Sequence, residues 1–592
     1  MGIWGLQSFI DGKQWYEEVN IRDVAQEWRR TKTVEPVIAV DGAACARHIY
    51  GTADKFCGGQ YKQFRESCRT FVQRFRDSGI RLVFFFDGIP VEEKMNAWAN
   101  RRMYRLLQIS QLFADFRARR LTKETKRKFY LTPEAVVPTA RVIFCTELDC
   151  KVRVATEDCD NELAEYAARE DHCLGIISSD TDLLVHEGVP CLILFKHLKM
   201  TSSLNARRYN PADIASKLGL RREHLPVFAS FVGNDIIIRS QLESLHDKLF
   251  SRYGKGTRVE NVAKFVRDGP PEDVPALCAY AFDDQPNHLE DEVRASIDSY
   301  RRVNPVAEEP TGDGPWGELL RLAKERHVNC KMPAVVYAVM MRRRFRIGEV
   351  LEDLARQRPT GLVLRPMRAR LYAVLLRERG PDSAEVTEMM PMGINDIREE
   401  SVAAAQLPTS VLHPGLRALW QQEDVAGRDQ RWRLFAWVTS PRVNLPALRS
   451  VWPAHLAVPA VALSYLRHDC NPAALGQTEA AVFAAVAVAV GDASASFLAG
   501  PDVERVNVRA VYLATLFVRT VLHVLDAAAA CGLSFPTEKD CLLEAYFDGR
   551  YFHDVYAATM SQRLRDPRHY LQWRASYEAQ FQQLVDAIES TN

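Results

Sequence analysis

Short apolar runs that end close to an aspartate recur in the first half of the chain. Val37–Asp41 (VIAVD), residues 81–87 (RLVFFFD) and residues 174–177, which lead through two serines into Asp180, all have this form. A short, continuous apolar run closed by turn residues is typical of a strand that is buried on both faces of a sheet. The run at 140–145 (ARVIFC) predicts a further strand without a terminal acid.

Helical patterns separate these runs, at residues 61–78, 96–120 and 211–218, and another strand is expected near 189–195. Strands that alternate with helices predict an α/β fold, a twisted and mainly parallel sheet flanked by helices. We therefore predict an α/β domain over residues 1–240.

Beyond residue 240 the pattern changes. Residues 285–317 are rich in Asp, Glu, Pro and Gly, which is typical of a linker. Runs rich in Ala, Val and Leu at 455–467, 478–498 and 506–531 favour helices that pack on one another. The expected organisation is the α/β domain, a helical extension and linker at 241–317, and a mostly α-helical region at 318–592.

Composition narrows the class of protein. A chain of 592 residues exceeds what one hydrophobic core normally organises, and 47% hydrophobic with 26% charged residues is typical of globular domains. The thirteen cysteines include no C-x-x-C pair, which predicts buried thiols in a reducing compartment. The first residues lack the features of a signal peptide, and the most apolar segment, 480–490, is shorter than the roughly 20 residues of a membrane span. We expect an intracellular protein with no membrane partner.

Acidic residues stand at the ends of the predicted elements. The carboxyl ends of parallel strands meet at one edge of a sheet, so these acids are expected to converge there. Adjacent carboxylates repel one another unless a cation neutralises them, and Mg²⁺ or Mn²⁺ prefers such oxygen ligands. Two ions roughly 3.5–4 Å apart can activate water against a phosphodiester. The alternative for each acid alone is a turn or a helix cap. The candidate metal ligands are Asp41, Asp87, Asp158, Asp160, Asp180, Asp182 and Asp235.

A basic segment follows the second of these acids. Residues 94–128 contain eleven basic and two acidic residues, with Tyr104, Phe113 and Phe116 among them. Clustered positive charge beside aromatic residues fits a polyanion held by its phosphates, so DNA or RNA is the expected partner. The alternative is a solvated helix face whose aromatic residues pack in the core. Besides Lys94 and Arg101, the candidate nucleic-acid contacts are Arg102, Arg105, Arg117, Arg119, Arg120, Lys123, Lys126, Arg127 and Lys128.

The ordered motifs MGIWGL, VIAVD, FFFDG, EDCD, SSDTD and FVGND resemble those of the flap-endonuclease/XPG nucleases, which have a PIN-like fold. The resemblance covers residues 1–240. It implies that the seven acids bind metal and that Lys94 and Arg101 are catalytic, engaging the scissile phosphate. The chain departs from the family where Asp158 and Asp160 replace the more common Glu.

Two further features of that family are not matched. The glycine-rich helix-hairpin-helix expected after Asp235 is not recognisable, and only the small basic loop at 254–258 lies in its place. The aromatic residue that stacks on a base shortly after the first acid is also missing, although Arg47, His48 and Tyr50 are nearby.

A second resemblance extends into the C-terminal half. FCGGQYKQF, FFFDGIPVEEKMNAWANRR, CLGIISSDTD, FVGNDIII, LRPMRARLYAVLL and YFDGRYFHDVY are similar to the constitutive coactivator of PPAR-gamma family, relatives of the asteroid proteins. The long low-complexity insertion of its vertebrate members is missing here. This resemblance implies a transcription coactivator or RNA-binding scaffold, in the nucleus and/or cytoplasm, with protein partners through the helical region. Two hypotheses stay open: a Mg²⁺- or Mn²⁺-dependent nuclease for branched or single-stranded DNA or RNA, with two bound ions, and a non-catalytic binding module.

Overall fold

The computed structural model describes residues 2–51, 53–90, 95–122, 124–125, 129, 131–201, 203–254, 256–282, 288–301, 314–348, 350–380, 384–421, 425–451, 453–470, 472–494, 498, 506–533, 542–561, 566–567 and 575–591. The chain divides into two compact units, each made of separated segments. Unit 1 comprises Met1–His48, Arg69–Ala99 and Cys150–Glu309, and unit 2 comprises Ile49–Cys68, Asn100–Asp149 and Pro310–Asn592.

The boundaries predicted at residues 240 and 317 do not coincide with these units. Ile49–Cys68 and Asn100–Asp149 belong to unit 2 because apolar side chains of these segments share a core with C-terminal residues. Phe56, Phe113 and Phe116 belong to one buried cluster with Leu351 and Val511. Aromatic residues of the basic segment therefore serve unit 2 as packing residues.

Unit 1 is built on a seven-stranded sheet with the order β1-β7-β6-β5-β2-β3-β4. The central strands pair in parallel, whereas β7 pairs antiparallel with both β6 and β1. The predicted α/β class is confirmed by this mainly parallel sheet. The strands are β1 (Glu17–Asn20), β2 (Val37–Asp41), β3 (Arg81–Phe86), β4 (Lys151–Val154), β5 (Cys173–Ser178), β6 (Leu192–Leu194) and β7 (Asn205–Tyr209).

Helices connect these strands along the chain. The eighth of them shows how the sequence sets helix ends: the Asn210 side chain accepts hydrogen bonds from the first backbone N–H groups, and Gly219 closes the helix with a φ of 73°. The helices up to residue 301 are α1 (Leu6–Gly12), α2 (Ile21–Thr31), α3 (Gly42–Tyr50), α4 (Tyr61–Asp77), α5 (Met95–Arg117), α6 (Val136–Val142), α7 (Cys159–Arg169), α8 (Pro211–Leu218), α9 (Leu225–Val232), α10 (Glu243–Tyr253), α11 (Arg258–Asp268), α12 (Val274–Phe282) and α13 (His288–Arg301).

Two sequence predictions for these segments are wrong. The strand predicted at 140–145 is the end of α6 and a following π-helical turn, because Val136, Ala140 and Ile143 are buried at helical rather than alternating spacing. The linker predicted at 285–317 contains α13, which buries residues at helical spacing despite its many charges. Residues 302–313 of that linker lie outside the described residues.

Unit 2 is mostly helical, as predicted, but also contains a three-stranded sheet of order β10-β9-β8 that the sequence did not indicate. Its strands are β8 (Arg344–Arg346), β9 (Glu385–Gly393) and β10 (Asp396–Ala403). The helices from residue 315 onward are α14 (Pro315–Val328), α15 (Ala334–Arg342), α16 (Thr360–Leu375), α17 (Leu416–Gln421), α18 (Val425–Thr439), α19 (Leu445–Ser450), α20 (Ala457–Ser464), α21 (Gln477–Asp492), α22 (Val508–Ala530), α23 (Gly549–Met560) and α24 (Ala575–Glu589).

One helix in the described part of the chain, α22, is long and apolar enough to cross a membrane. Its most apolar 18 residues have a mean hydropathy of 1.5, but 72% of them are buried inside the protein. It packs against α16, α18 and α20 within unit 2. Burial of this kind is what a core helix requires, so the helix is weak evidence for a membrane span.

Candidate active site

Three neighbouring strands of unit 1 bring aspartates to the same edge of the sheet. Asp41 is the last residue of β2, Asp87 directly follows β3, and Asp180 lies two residues beyond the end of β5. These strands are adjacent and parallel, with β2 in the middle. Because their carboxyl ends coincide, the three acids converge at the edge where ligands bind in open α/β sheets.

The first group of acids surrounds the thiol of Cys159. Ligand atoms of Asp87, Asp158 and Cys159 all lie within 4.8 Å of one another. Cys159 donates hydrogen bonds to Asp87 from its thiol and from its backbone N–H. Burial, followed by the charges of Asp87, Asp160, Asp41 and Asp158, raises the pKa of the thiol well above its usual value. We call these four aspartates the Cys159 acid group.

A glycine allows the Cys159 acid group to assemble. A side chain at Gly88 would place its Cβ only 1.9 Å from the backbone oxygen of Ala155. The Gly88 N–H donates to the backbone oxygen of Glu157 at 2.7 Å. The chain after β3 therefore lies directly against the residues before α7, and this approach places Asp87 beside Asp158.

The second group of acids surrounds the buried hydroxyl of Tyr300. Burial, followed by the charges of Asp182, Asp180 and Asp235, raises the pKa of this phenol well above its usual value. The hydroxyl accepts a hydrogen bond from Nδ2 of Asn234 at 3.0 Å. The backbone N–H of Asp182 donates to Oδ1 of Asp180 at 3.2 Å, which fixes the turn between them. We call these three aspartates the Tyr300 acid group.

The first residues of the chain pass beside the Tyr300 acid group. Gly2 has a φ of 105°, and a Cβ there would lie 2.5 Å from Oγ1 of Thr181 and 2.6 Å from Oδ1 of Asp180. Two residues on, the Trp4 N–H donates to the backbone oxygen of Gly233 at 3.0 Å. Only glycine fits at position 2 without displacing the Asp180 turn.

A buried serine connects the two acid groups. Oγ of Ser178 donates to Oδ2 of Asp41 at 2.8 Å and accepts from the N–H of Asp180 at 3.1 Å. The other carboxylate oxygen of Asp41 accepts from the N–H of Ala44 at 2.9 Å. The acids predicted from sequence are thus brought together in unit 1. Sequence reasoning gave no role to Ser178 or Cys159, although both lie inside the motifs it selected.

Burial, followed by mutual repulsion, raises the pKa values of two acids in the site. Burial and the charge of Asp87 raise the pKa of Asp41 to about 6, and burial and the charge of Asp158 raise the pKa of Asp87, although its side chain keeps solvent access. Arg47 opposes both shifts. Among the described residues, no ion pair reaches Asp41 or Asp87. A set of oxygen donors held together against repulsion fits a hard divalent cation.

The raised pKa of Asp41, caused by burial and by the charge of Asp87, gives Asp41→Asn a pH-dependent effect on stability. The pKa of Asp41 is about 6 in the folded protein and near 3.8 in the unfolded chain. Between these values the folded state binds a proton that the unfolded state has released, so stability falls as the pH rises through this window. Without metal, Asp41→Asn is expected to raise the thermal midpoint near neutral pH and to change it little at about pH 4.5. Equal shifts at both pH values, measured with EDTA present, would contradict this.

Several residues predicted to contact nucleic acid lie outside the described residues or in unit 2. Lys94, Lys123, Lys126, Arg127 and Lys128 lie outside the described residues. Arg101 and Arg102 are half-buried in the part of α5 that belongs to unit 2. Their proposed roles at a scissile phosphate or along a strand stay predictions.

The rest of the basic segment is partly engaged within unit 2. Arg117 forms an ion pair with the nearly buried Asp353, which removes it from the free cations expected along the segment. Arg105 donates to Oε1 of Gln108 at 3.2 Å. Arg119 and Arg120 are exposed. Phe113 and Phe116 are core residues, so for these two the alternative is correct that aromatic residues of the basic segment pack in the core.

The aromatic side chains after Asp41 are not available for stacking on a base. His48 stacks on Phe195 with ring centroids 5.0 Å apart. Tyr50 is only 2% exposed, and its hydroxyl donates to the backbone oxygen of Asp54. The departure from the nuclease pattern noted in the sequence therefore extends to the structure.

One reported relative resembles this chain along nearly its whole length. The constitutive coactivator of peroxisome proliferator-activated receptor gamma from Bos taurus is 26% identical, with 94% of this chain and 91% of that protein covered. The chain resembles the PPAR-gamma coactivator family. The Homo sapiens and Mus musculus coactivators are 30% and 31% identical over 43% of this chain, and the match spans only 28% and 32% of those proteins. A family model described as a FAM120A-like domain matches residues 218–304.

Solved nuclease structures also align with the chain. The catalytic core of Rad2 in complex with a DNA substrate covers 57% of this chain and 98% of its own, with a TM-score of 0.31 and 16% identity. Human GEN1 in complex with Holliday junction DNA gives a TM-score of 0.30 and 17% identity, covering 57% of this chain and 77% of its own. Scores of this size carry no conclusion about chemistry.

Proposed function

We propose that unit 1 is a divalent-metal-dependent nuclease that cleaves branched or single-stranded DNA or RNA. The observation that supports this is the convergence of seven aspartates on one sheet edge, in two groups joined by Ser178. Buried carboxylates that repel one another destabilise a fold unless a cation compensates them. A site of this composition suits phosphodiester hydrolysis assisted by two ions of Mg²⁺ or Mn²⁺.

The chain's own residues position the reacting groups. The Cys159 acid group and the Tyr300 acid group would hold the ions, and Ser178 keeps Asp41 and Asp180 in fixed orientations. The contact of Lys94 and Arg101 with the scissile phosphate stays a prediction from the sequence alone. Divalent cations bound there would polarise the phosphate and lower the pKa of water.

The decisive experiment measures cleavage directly. Labelled single-stranded, flap and duplex DNA and RNA are incubated with the full chain and Mg²⁺ or Mn²⁺, with EDTA as the matched control. We expect cleavage only with metal and only of substrates that contain single-stranded or branched regions. Binding without cleavage under every metal condition would refute the nuclease.

The thiol in the site predicts how metals compete. Sulfur prefers soft ions over Mg²⁺, and the Cys159 sulfur lies within 4.8 Å of carboxylate oxygens of Asp87 and Asp158. Cys159→Ser is expected to weaken Cd²⁺ and Zn²⁺ binding about tenfold or more and to change Mg²⁺ binding little. Thermal shifts and the ultraviolet absorption of the cadmium–thiolate bond measure this.

A second buried thiol supplies the control for this metal experiment. Sγ of Cys191 donates to the backbone oxygen of Leu174 at 3.1 Å. Cys191→Ser should therefore behave like the unmodified chain in both measurements. Equal Cd²⁺ affinities in the Cys159→Ser variant and the unmodified chain would exclude the thiol as a ligand.

A non-catalytic role is the second candidate. The similarity to the bovine protein covers 94% of this chain, and that protein is named as a constitutive coactivator of a receptor. In this case unit 1 binds RNA or a protein partner, unit 2 contributes further protein contacts, and the chain acts in the nucleus and/or cytoplasm. Strand binding that is unaffected by EDTA, without cleavage, would support this candidate.

A further inference from the structure

An exposed tryptophan beside the Tyr300 acid group has two arginines over its ring. Trp4 keeps 48% of its surface exposed although both of its backbone groups are fixed. Its N–H donates to the oxygen of Gly233 at 3.0 Å, and its oxygen accepts from Nη2 of Arg258 at 2.6 Å. The backbone of Trp4 is thus fixed at the surface, while about half of the residue stays exposed.

The two guanidinium groups come from different elements. Cζ of Arg239, at the start of the 3₁₀ turn Arg239–Leu242, lies 5.0 Å from the centroid of the Trp4 ring, and Cζ of Arg258, at the start of α11, lies 5.4 Å from it. Both distances are within cation–π range. We call Trp4, Arg239 and Arg258 the Trp4 clamp.

The two positive charges of the clamp lie close to each other. Burial and the nearby charge of Arg239 lower the pKa of Arg258. Among the described residues, no carboxylate forms an ion pair with either arginine. The nearest acid in the sequence, Glu260, accepts from Thr257 and pairs with Lys13 at 2.9 Å. Two guanidinium groups brought together in this way form a surface that favours an anion from outside.

The position of the clamp indicates which anion. Along the chain, Trp4 is two positions after Gly2, which lies against Asp180, and Arg239 is four positions after Asp235. A strand bound at the clamp therefore lies beside the Tyr300 acid group. Guanidinium groups bind phosphate through paired N–H donors, and the aromatic ring preorganises them.

We propose that the Trp4 clamp binds a phosphate of a nucleic-acid strand and leads that strand to the acid site. The inference rests on the proposed nuclease or nucleic-acid-binding function and adds to it a positioning site that lies outside the carboxylate groups. In this arrangement the two arginines contact the phosphate, and Trp4 fixes their spacing.

Binding measurements without cleavage test the clamp. Fluorescence anisotropy of labelled single-stranded and duplex oligonucleotides is recorded with the full chain in EDTA over a series of salt concentrations. Arg239→Gln/Arg258→Gln is expected to weaken single-strand binding about tenfold or more and to reduce the slope of log affinity against log salt by about 0.7 per lost contact. An unchanged affinity and slope would overturn the proposal.

A second variant tests whether the Trp4 ring, and not only the positive charge, contributes to binding. Trp4→Ala removes no charge, so a surface that acts only by net charge would bind as before, whereas the clamp should lose about fivefold or more in affinity. The matched control is Arg267→Gln at the far end of α11, where Arg267 pairs with Asp268 at 3.0 Å. This control should leave affinity unchanged. Near-ultraviolet circular dichroism of each variant confirms the fold.

The outcomes also distinguish the clamp from the nuclease. Clamp variants that bind weakly, in a protein that never cleaves, would support the clamp and refute the nuclease. Metal-dependent cleavage with normal binding by both clamp variants would refute the clamp and support the nuclease. Duplex binding that depends on the clamp more strongly than single-strand binding would overturn the assignment to an unpaired strand.

Discussion

Asp180→Asn/Asp182→Asn is expected to lower metal-dependent cleavage by about a thousandfold or more while single-strand binding changes only a few fold. Asparagine keeps the size of both side chains and an oxygen that can accept the N–H of residue 182. What it removes is the charge that would attract a divalent ion beside Tyr300. Without metal the variant should be more stable than the unmodified chain, because two repelling charges are gone. Initial cleavage rates and thermal midpoints in EDTA provide the two measurements.

Two exposed aspartates of unit 1 provide the matched control for this prediction. Asp171→Asn/Asp213→Asn removes the same charge from the same unit without touching the acid groups. This variant should cleave at the rate of the unmodified chain. Cleavage that survives in the Asp180/Asp182 variant would show that the activity belongs to a contaminant or to another site. A complete absence of cleavage in both would leave the binding module as the function of unit 1.

The central strands were predictable because burial on both faces leaves a plain signal. β2, β3 and β5 are continuous apolar runs, and each leads to an acid. The outer strands β1 (EEVN) and β7 (NARRY) carry charged residues because they lie at the open end of the sheet. Their sequences therefore do not differ from those of polar loops, and they escaped prediction. A run such as 140–145 was ambiguous because apolar content alone does not separate strand from helix.

The candidate site, like the sheet, could be predicted only in part from the sequence. Six of its carboxylates could be selected from the sequence because each ends or follows a recognisable strand or lies at the start of a helix, and Asp235 because it follows a Gly-Asn turn. Ser178, Cys159 and Trp4 could not, since their roles depend on contacts between residues far apart in sequence, such as the bond from Ser178 to Asp41. The ion pairing of the basic segment could not be predicted for a related reason. Its positive charge was visible in the sequence, but the pairing of Arg117 with Asp353 across 236 positions was not.

Arg368→Met is expected to destabilise unit 2 by about 3–5 kcal/mol. Arg368 and Glu388 are 1% and 0% exposed, and two hydrogen bonds of 2.7 Å join them. Tyr372 and Arg365 also donate to this carboxylate, at 2.8 and 3.0 Å. Burial alone would raise the pKa of Glu388, but its bonds to Arg368 outweigh that effect and lower the pKa. Methionine fills a similar volume, so the main loss is the partner of a buried charge.

Companion variants show whether the buried charge is the cause of that loss. Arg368→Met/Glu388→Met removes both charges, so it should recover much of the stability lost in Arg368→Met, because no buried carboxylate is then left without its closest cation. Arg417→Met breaks a pair with Glu318 in which both side chains are more than half exposed, and it should cost less than about 1 kcal/mol. Urea unfolding followed by the fluorescence of the buried Trp420 and Trp437 reports on unit 2. If the double variant is no more stable than Arg368→Met, the loss in free energy of unfolding comes from lost packing and not from the buried charge of Glu388.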